Sequence, residues 1–92
     1  MSDELKNTIS FIIGESICEI KDPDFKQLSL ALSRLTSVSG NLDMAGGGEI
    51  IFNLCKIKCD EAIEKDARKK VSLCLKIAEY YLTPVEVEIK KN

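Results

Sequence analysis

The sequence predicts an all-α fold: a four-helix antiparallel bundle, built from two helical hairpins that a glycine-rich loop joins, with a short C-terminal extended segment. Apolar residues recur at helical spacing, which predicts helices at about 3–20, 23–38, 49–64 and 67–82. Short connections between these stretches favour antiparallel neighbours. The last part of the chain alternates apolar and charged residues instead. A chain of 92 residues has room for one domain, covering residues 1–92.

The first predicted helix, over residues 3–20, is based on a stripe of isoleucines at helical spacing. A second and narrower stripe lies on the opposite side of this helix and consists of Phe11, Gly14 and Cys18. This stripe could be covered by the other helices of the same bundle, or it could contact a partner. Because small helical proteins often bury surplus apolar faces by association, we expect these three residues to take part in an interface.

The second and third predicted helices flank the glycine run. Asp22 is a favourable N-cap with Pro23 at the first helical position, and Gly40 is a favourable residue for ending that helix. Three consecutive glycines, Gly46–Gly48, cost about 1 kcal/mol each inside a helix relative to alanine, so they predict a loop over residues 40–48. A flexible hinge or a close crossing of helices explains the run. It does not match a phosphate-binding loop, since no Gly-Lys-Ser/Thr ending follows.

The fourth predicted helix begins after Asp66, which is a favourable N-cap, and ends at Thr83 and Pro84. A break near residue 65 is expected because an uninterrupted helix over residues 49–82 would leave too little chain to cover it. Tyr80 and Tyr81 lie at the end of this helix, where one ring is expected to face the core and the other the surface. The surface ring is a plausible interface anchor.

The C-terminal segment alternates Val85, Val87 and Ile89 with Glu86, Glu88 and Lys90. Alternation with period two is typical of a half-buried β-strand. A single strand needs a partner, so this segment pairs with its copy in a dimer, adds to the sheet edge of another protein, or remains an extended tail.

The four cysteines are candidates for a metal or redox site. Cys55 and Cys59 are one helical turn apart, and Cys74 and Cys18 lie on other predicted helices. Convergence of all four would create a tetrahedral thiolate site. The spacing does not match the Cys-x-x-Cys pattern, however, and cysteine is also a small apolar residue that allows helices to approach closely. We expect no cofactor.

Composition excludes several classes of function. The chain has no histidine, which removes Ser-His-Asp and Cys-His hydrolase arrangements. Its formal net charge of −2 argues against general nucleic-acid binding. No apolar run approaches the roughly 18 residues that a membrane-spanning helix requires. The N-terminus is acidic where a signal peptide is basic, so we expect a cytoplasmic protein.

These observations predict a small, acidic, non-enzymatic protein-interaction module that acts as an adaptor, an inhibitor or a regulatory subunit. Its partner is another protein or a second copy of itself in a homodimer, with no nucleic acid and no membrane. The predicted contact residues are Phe11, Gly14, Cys18, Tyr80, Val85, Val87 and Ile89. The alternative is a thiolate metal-binding or redox-responsive protein that uses Cys55, Cys59 and Cys74, with Cys18 as a fourth ligand.

Overall fold

A computed structural model describes residues 7–36 and 42–92 and contains both helices and a sheet. The elements, in chain order, are β1 (Thr8–Ile13), β2 (Ser16–Lys21), α1 (Phe25–Leu35), α2 (Met44–Cys55), β3 (Lys56–Cys59), α3 (Glu61–Glu64) and α4 (Ala67–Leu82). The prediction of an all-α helical bundle is therefore wrong. Two layers enclose one core, to which the strands contribute Phe11, Cys18 and Ile20 and the helices contribute Ile51, Phe52, Leu73 and Ile77.

The first predicted helix is a β-hairpin. β1 and β2 pair antiparallel and are joined by the two residues Gly14 and Glu15, with Ile13 opposite Ser16. Gly14 has a φ of 62°, and no other residue in the described part of the chain has a positive φ. A glycine with positive φ at the first position of a two-residue loop is characteristic of a type II′ turn, whose twist matches that of the flanking strands.

The sheet has the strand order β1-β2-β3, and all of its pairings are antiparallel. Along β2, Cys18 and Ile20 face the core and are fully buried, while the alternate residues face outward. The pairing of β2 with β3 is irregular after Glu19, where a bulge shifts the register. In the described part of the chain β1 and β3 each pair on one side only.

Helix α1 begins two residues later than predicted. Asp24, rather than Asp22, is the N-cap: its side chain accepts a hydrogen bond from the backbone N–H of Gln27, and the Gln27 side chain accepts one from Asp24. Asp22 instead accepts a hydrogen bond from the hydroxyl of Tyr81 at 2.9 Å. The predicted helix end at Gly40 lies outside the described residues.

The glycine run lies inside α2 and not in a loop. Asp43 is the N-cap of this helix and accepts a hydrogen bond from the backbone N–H of Gly46 at 2.9 Å. A methyl group on Gly48 would lie 1.8 Å from the carbonyl oxygen of Cys74, and one on Gly47 would lie 3.3 Å from that of Ala31. Glycine is therefore required where α2 crosses α4 at backbone distance. The prediction of a loop is wrong, and the alternative of a close helix crossing agrees with this geometry.

The chain does not continue as a helix from residue 49 to residue 64. It leaves α2 at Cys55, runs through β3, and forms only the one-turn helix α3 before the next cap. Helix α4 has the predicted bounds, and the Asp66 side chain accepts hydrogen bonds from the backbone N–H groups of Arg68 and Lys69.

Residues 84–92 form neither helix nor strand. Each of the described helices is too short, or too polar, to cross a lipid bilayer.

Candidate functional site

The C-terminal segment places three large apolar side chains in solvent. Val85, Val87 and Ile89 are 84%, 81% and 94% exposed. They alternate with Glu86, Glu88 and Lys90, so an extended conformation presents one apolar face and one charged face. This segment follows α4 after only two residues, and it is the longest run of alternating exposed apolar residues in the described part of the chain.

The outer edge of β1 presents backbone groups that β2 does not use. Asp22 donates its backbone N–H to the carbonyl of Asn7 at 2.7 Å, which fixes the alternation of the hydrogen bonds along the hairpin. By that alternation Phe11 exchanges hydrogen bonds with Cys18, and the backbone groups of Ser10 and Ile12 point away from β2. An additional strand could therefore pair with β1.

A groove of about 420 Å³ runs beside this edge, between β1 and α4. Its walls are residues 10–13 on the strand side and Ser72, Leu73 and Lys76 on the helix side. Leu73 is buried at the base of the groove, and Phe11 has only 9% of its surface exposed. A strand added to β1 would direct alternate side chains into this mainly apolar groove.

The predicted contact residues from the N-terminal part of the chain lie elsewhere than expected. The helical stripe of Phe11, Gly14 and Cys18 does not exist, because these residues belong to the hairpin. Phe11 and Cys18 are core residues, and Gly14 lies exposed in the turn. Since Phe11 and Cys18 are covered within the chain, they offer little surface to a partner.

The two tyrosines at the end of α4 separate as expected into a surface ring and a more buried ring. Tyr80 is 58% exposed and makes an edge-to-face contact with Phe11, with the ring centroids 6.2 Å apart. Tyr81 is half-buried, and burial together with its hydrogen bond to Asp22 raises the pKa of its hydroxyl. Tyr80 thus joins α4 to the sheet and remains accessible beside β1.

The sheet brings together two of the four cysteines, Cys18 and Cys59. They are direct partners across β2 and β3. Burial, and after it the neighbouring Cys59 side chain, raises the pKa of the Cys18 thiol to about 12. Cys59 is only partly buried and is therefore the accessible member of the pair.

The other two cysteines lie on helices, Cys74 on α4 and Cys55 at the end of α2. Cys74 is buried on α4, where burial raises the pKa of its thiol and the charges of Glu49 and Cys59 raise it further. Cys55 is buried beside α1, and its sulfur lies 3.5 Å from Oε1 of Gln27. Among residues 7–36 and 42–92, no three metal-ligating side chains are grouped to hold an ion. A site that uses Cys55, Cys59, Cys74 and Cys18 remains a prediction from the sequence.

Two charged side chains, Asp43 and Arg34, lie at the start of α2. The Asp43 carboxylate accepts from the Gly46 N–H and from Nε of Arg34, at 2.9 and 3.1 Å, and these contacts hold the pKa of Asp43 below its usual value. An acidic side chain thus occupies the position that an anion would take at this helix N-terminus. The arrangement caps and anchors the helix.

The chain matches no protein-family model, no curated protein and no solved structure.

Proposed function

We propose that this protein is a non-enzymatic protein-interaction module that self-associates by strand addition. Residues 85–90 of one copy pair with the outer edge of β1 in a second copy. The observation that carries the proposal is the exposed, alternating pattern of Val85, Val87 and Ile89, on a segment that pairs with no strand in the described part of the chain. Main-chain hydrogen bonds supply affinity in this mode of recognition, and pockets for alternate side chains supply specificity.

The length and chemistry of β1 favour it over β3 as the accepting edge. β1 has six residues, which matches the six of the segment, and none of them is charged. β3 has four residues and carries Lys56 and Lys58. Short strands and lysine side chains are features that protect a sheet edge against pairing.

The groove beside β1 gives the added strand somewhere to bury its apolar face. With Val85, Val87 and Ile89 directed toward α4, their side chains would extend the row of Phe11 and Ile13 on the inner face of the sheet. Burying an exposed valine or isoleucine contributes about 1.5 to 3 kcal/mol, whereas association costs about 4 kcal/mol or more. In a two-fold dimer the exchange occurs twice, so both segments contribute to one association event.

The edge of β1 that mediates self-association would also be a site of regulation. A partner protein that offers an extended segment of alternating apolar residues would compete for β1, which is how an adaptor or a regulatory subunit could exchange partners. We further propose that this takes place in the cytoplasm. All four cysteines are free thiols, which is the state that a reducing compartment maintains.

Val87→Asp tests the proposal. The substitution places a charge at the centre of the apolar face of the segment, where burial in the groove would desolvate it. We expect the wild-type full-length chain to dimerise with increasing concentration in sedimentation equilibrium, and Val87→Asp to remain monomeric over the same range.

Leu30→Asp is the matched control, since Leu30 is 54% exposed on α1 and lies outside the segment, β1 and the groove. This variant should dimerise like the wild type. A wild-type chain that stays monomeric at the highest concentration would contradict the proposal, as would equal loss of the dimer in both variants. Far-ultraviolet circular dichroism establishes that each variant is folded.

A further inference from the structure

We propose that Cys18 and Cys59 form a reversible oxidation site, in which a hydroperoxide converts the two facing thiols into a disulfide between β2 and β3. The proposal goes beyond self-association, because it concerns the interior face of the sheet. It is carried by the position of the two cysteines in the β-ladder and by the difference in their accessibility.

The backbone hydrogen bonds determine the geometry of the pair. Asp60 donates its N–H to the carbonyl of Ile17 at 3.1 Å, so these two residues form a hydrogen-bonded pair at the end of the ladder. The adjacent pair, Cys18 and Cys59, is then a non-hydrogen-bonded pair, whose Cα atoms typically lie about 4.5 Å apart with the side chains close together. Disulfides span Cα separations of about 4.4 to 6.8 Å, so this pair can be bridged without separating the strands.

The surrounding contacts hold the two sulfurs in place. The Asp60 carboxylate accepts a hydrogen bond from the backbone N–H of Ile17 at 2.8 Å, which ties the end of β3 to β2 beside the cysteines. Cys18 and Cys59 are direct cross-strand partners, and Cys18 has no exposed surface. The thiol of Cys18 therefore has Cys59 as a close sulfur neighbour and no access to dissolved oxidants.

The difference in exposure assigns an order to the two steps. The accessible Cys59 thiolate attacks one oxygen of the hydroperoxide: an S–O bond forms, the O–O bond breaks, and hydroxide leaves with hydrogen peroxide as the oxidant. Cys18 then attacks the sulfur of the Cys59 sulfenic acid, forming the S–S bond and breaking the S–O bond. The departing hydroxide takes the Cys18 proton, so two thiols and one peroxide give one disulfide and two waters.

The burial that raises the pKa of Cys18 also protects it until Cys59 has reacted. The buried Cys18 thiol then faces the oxidised sulfur of Cys59 directly across the two strands. A low-molecular-weight thiol reverses the reaction by thiol–disulfide exchange.

Mass spectrometry of the full-length chain tests this assignment. The folded protein is treated with hydrogen peroxide, its remaining thiols are alkylated in denaturant, and the unreduced chain is digested with trypsin. Trypsin places the cysteines on four separate peptides, namely residues 7–21, 35–56, 59–65 and 71–76. We expect peptides 7–21 and 59–65 to be recovered joined, with the loss of two hydrogen atoms, and the other two to be alkylated.

Two variants sharpen the result. Cys59→Ser should abolish the joined peptide and leave Cys18 recoverable as an alkylated thiol, whereas Cys55→Ala should leave the joined peptide at the wild-type yield. The assignment is overturned if Cys59 is joined to peptide 71–76 instead. It is also overturned if Cys59 is recovered as the sulfinic acid while Cys18 is alkylated. Both outcomes are read from the wild-type chain and do not depend on the folding of a variant.

Discussion

Replacing Gly48 by alanine is expected to destabilise the protein by about 3 kcal/mol or more, because the added methyl group overpacks a backbone contact between two helices. That group would lie 1.8 Å from the carbonyl oxygen of Cys74 and 2.6 Å from its carbonyl carbon. A backbone carbonyl inside α4 cannot rotate away, so α2 and α4 must move apart. The gain of about 1 kcal/mol from alanine in a helix only partly offsets the loss. Urea denaturation monitored by circular dichroism measures the difference.

Gly46→Ala provides a control with the same gain in helix propensity. Its methyl group would lie 2.2 Å from Oδ2 of Asp43 and 2.7 Å from Nε of Arg34, which are the ends of two surface side chains. These can rotate away, so the free energy of unfolding should change by no more than about 1 kcal/mol. Equal stability of the Gly48→Ala and Gly46→Ala variants would show that α2 and α4 do not cross at Gly48.

Replacing Phe52 by alanine is expected to lower the free energy of unfolding by about 3 to 5 kcal/mol, since it removes a large core ring and leaves a cavity. Phe52 is 2% exposed in the last turn of α2. Its ring also has the ammonium groups of Lys56 and Lys70 at 5.3 and 5.1 Å from its centroid. Loss of this ring also removes both cation–π contacts.

Phe25→Ala is the matched comparison, because Phe25 is 87% exposed at the start of α1. The same chemical change there should alter the free energy of unfolding by no more than about 0.5 kcal/mol. Thermal or urea denaturation of both variants gives the two values. A Phe52→Ala variant as stable as Phe25→Ala would be incompatible with a core built around α2.

The last helix was predictable because its signals are local. Asp66 caps its N-terminus through its own side chain, and Pro84 follows its end, so both boundaries are encoded by neighbouring residues. The Asp24–Gln27 capping box of α1 was available in the sequence as well, but the adjacent Asp22–Pro23 pair offered a competing start. Local competition of this kind shifts a boundary without changing the type of element.

The hairpin could not be separated from a helix by apolar spacing alone. Ile9, Ile13, Ile17 and Ile20 satisfy the helical period, yet Ile9, Ile13 and Ile20 also line the inner face of two antiparallel strands joined at Gly14. The decisive signals were the richness in β-branched residues and the Gly-Glu pair between two runs of six residues, which favours a type II′ hairpin. Tertiary packing then overrides the helical period.

The glycine run was misassigned because its cause is non-local. In isolation three glycines disfavour a helix, and the sequence carries no direct indication that Cys74 and Ala31 approach them at backbone distance. Packing at the close helix crossing compensates for the free-energy cost of placing glycines in a helix. β3 was missed for the same reason, because its four residues form a strand only where β2 lies beside them.

Of the two parts of the candidate site, the sequence predicted the C-terminal segment but not the strand edge that would accept it. The period-two pattern of Val85, Val87 and Ile89 identified a segment that could pair as a strand. The accepting edge of β1 was not identifiable, since residues 8–13 were assigned to a helix. The pairing of Cys18 with Cys59 likewise depends on strand register, which the predicted helices could not supply.

Isotope-filtered nuclear Overhauser spectroscopy on a mixture of labelled and unlabelled full-length chains tests the proposed strand exchange most directly. The filter retains only contacts between a labelled chain and an unlabelled one. We predict contacts between chains that join the methyl groups of Val85, Val87 and Ile89 to Phe11 and Ile13. A dimer whose filtered spectrum lacks these contacts would contradict the proposed strand addition.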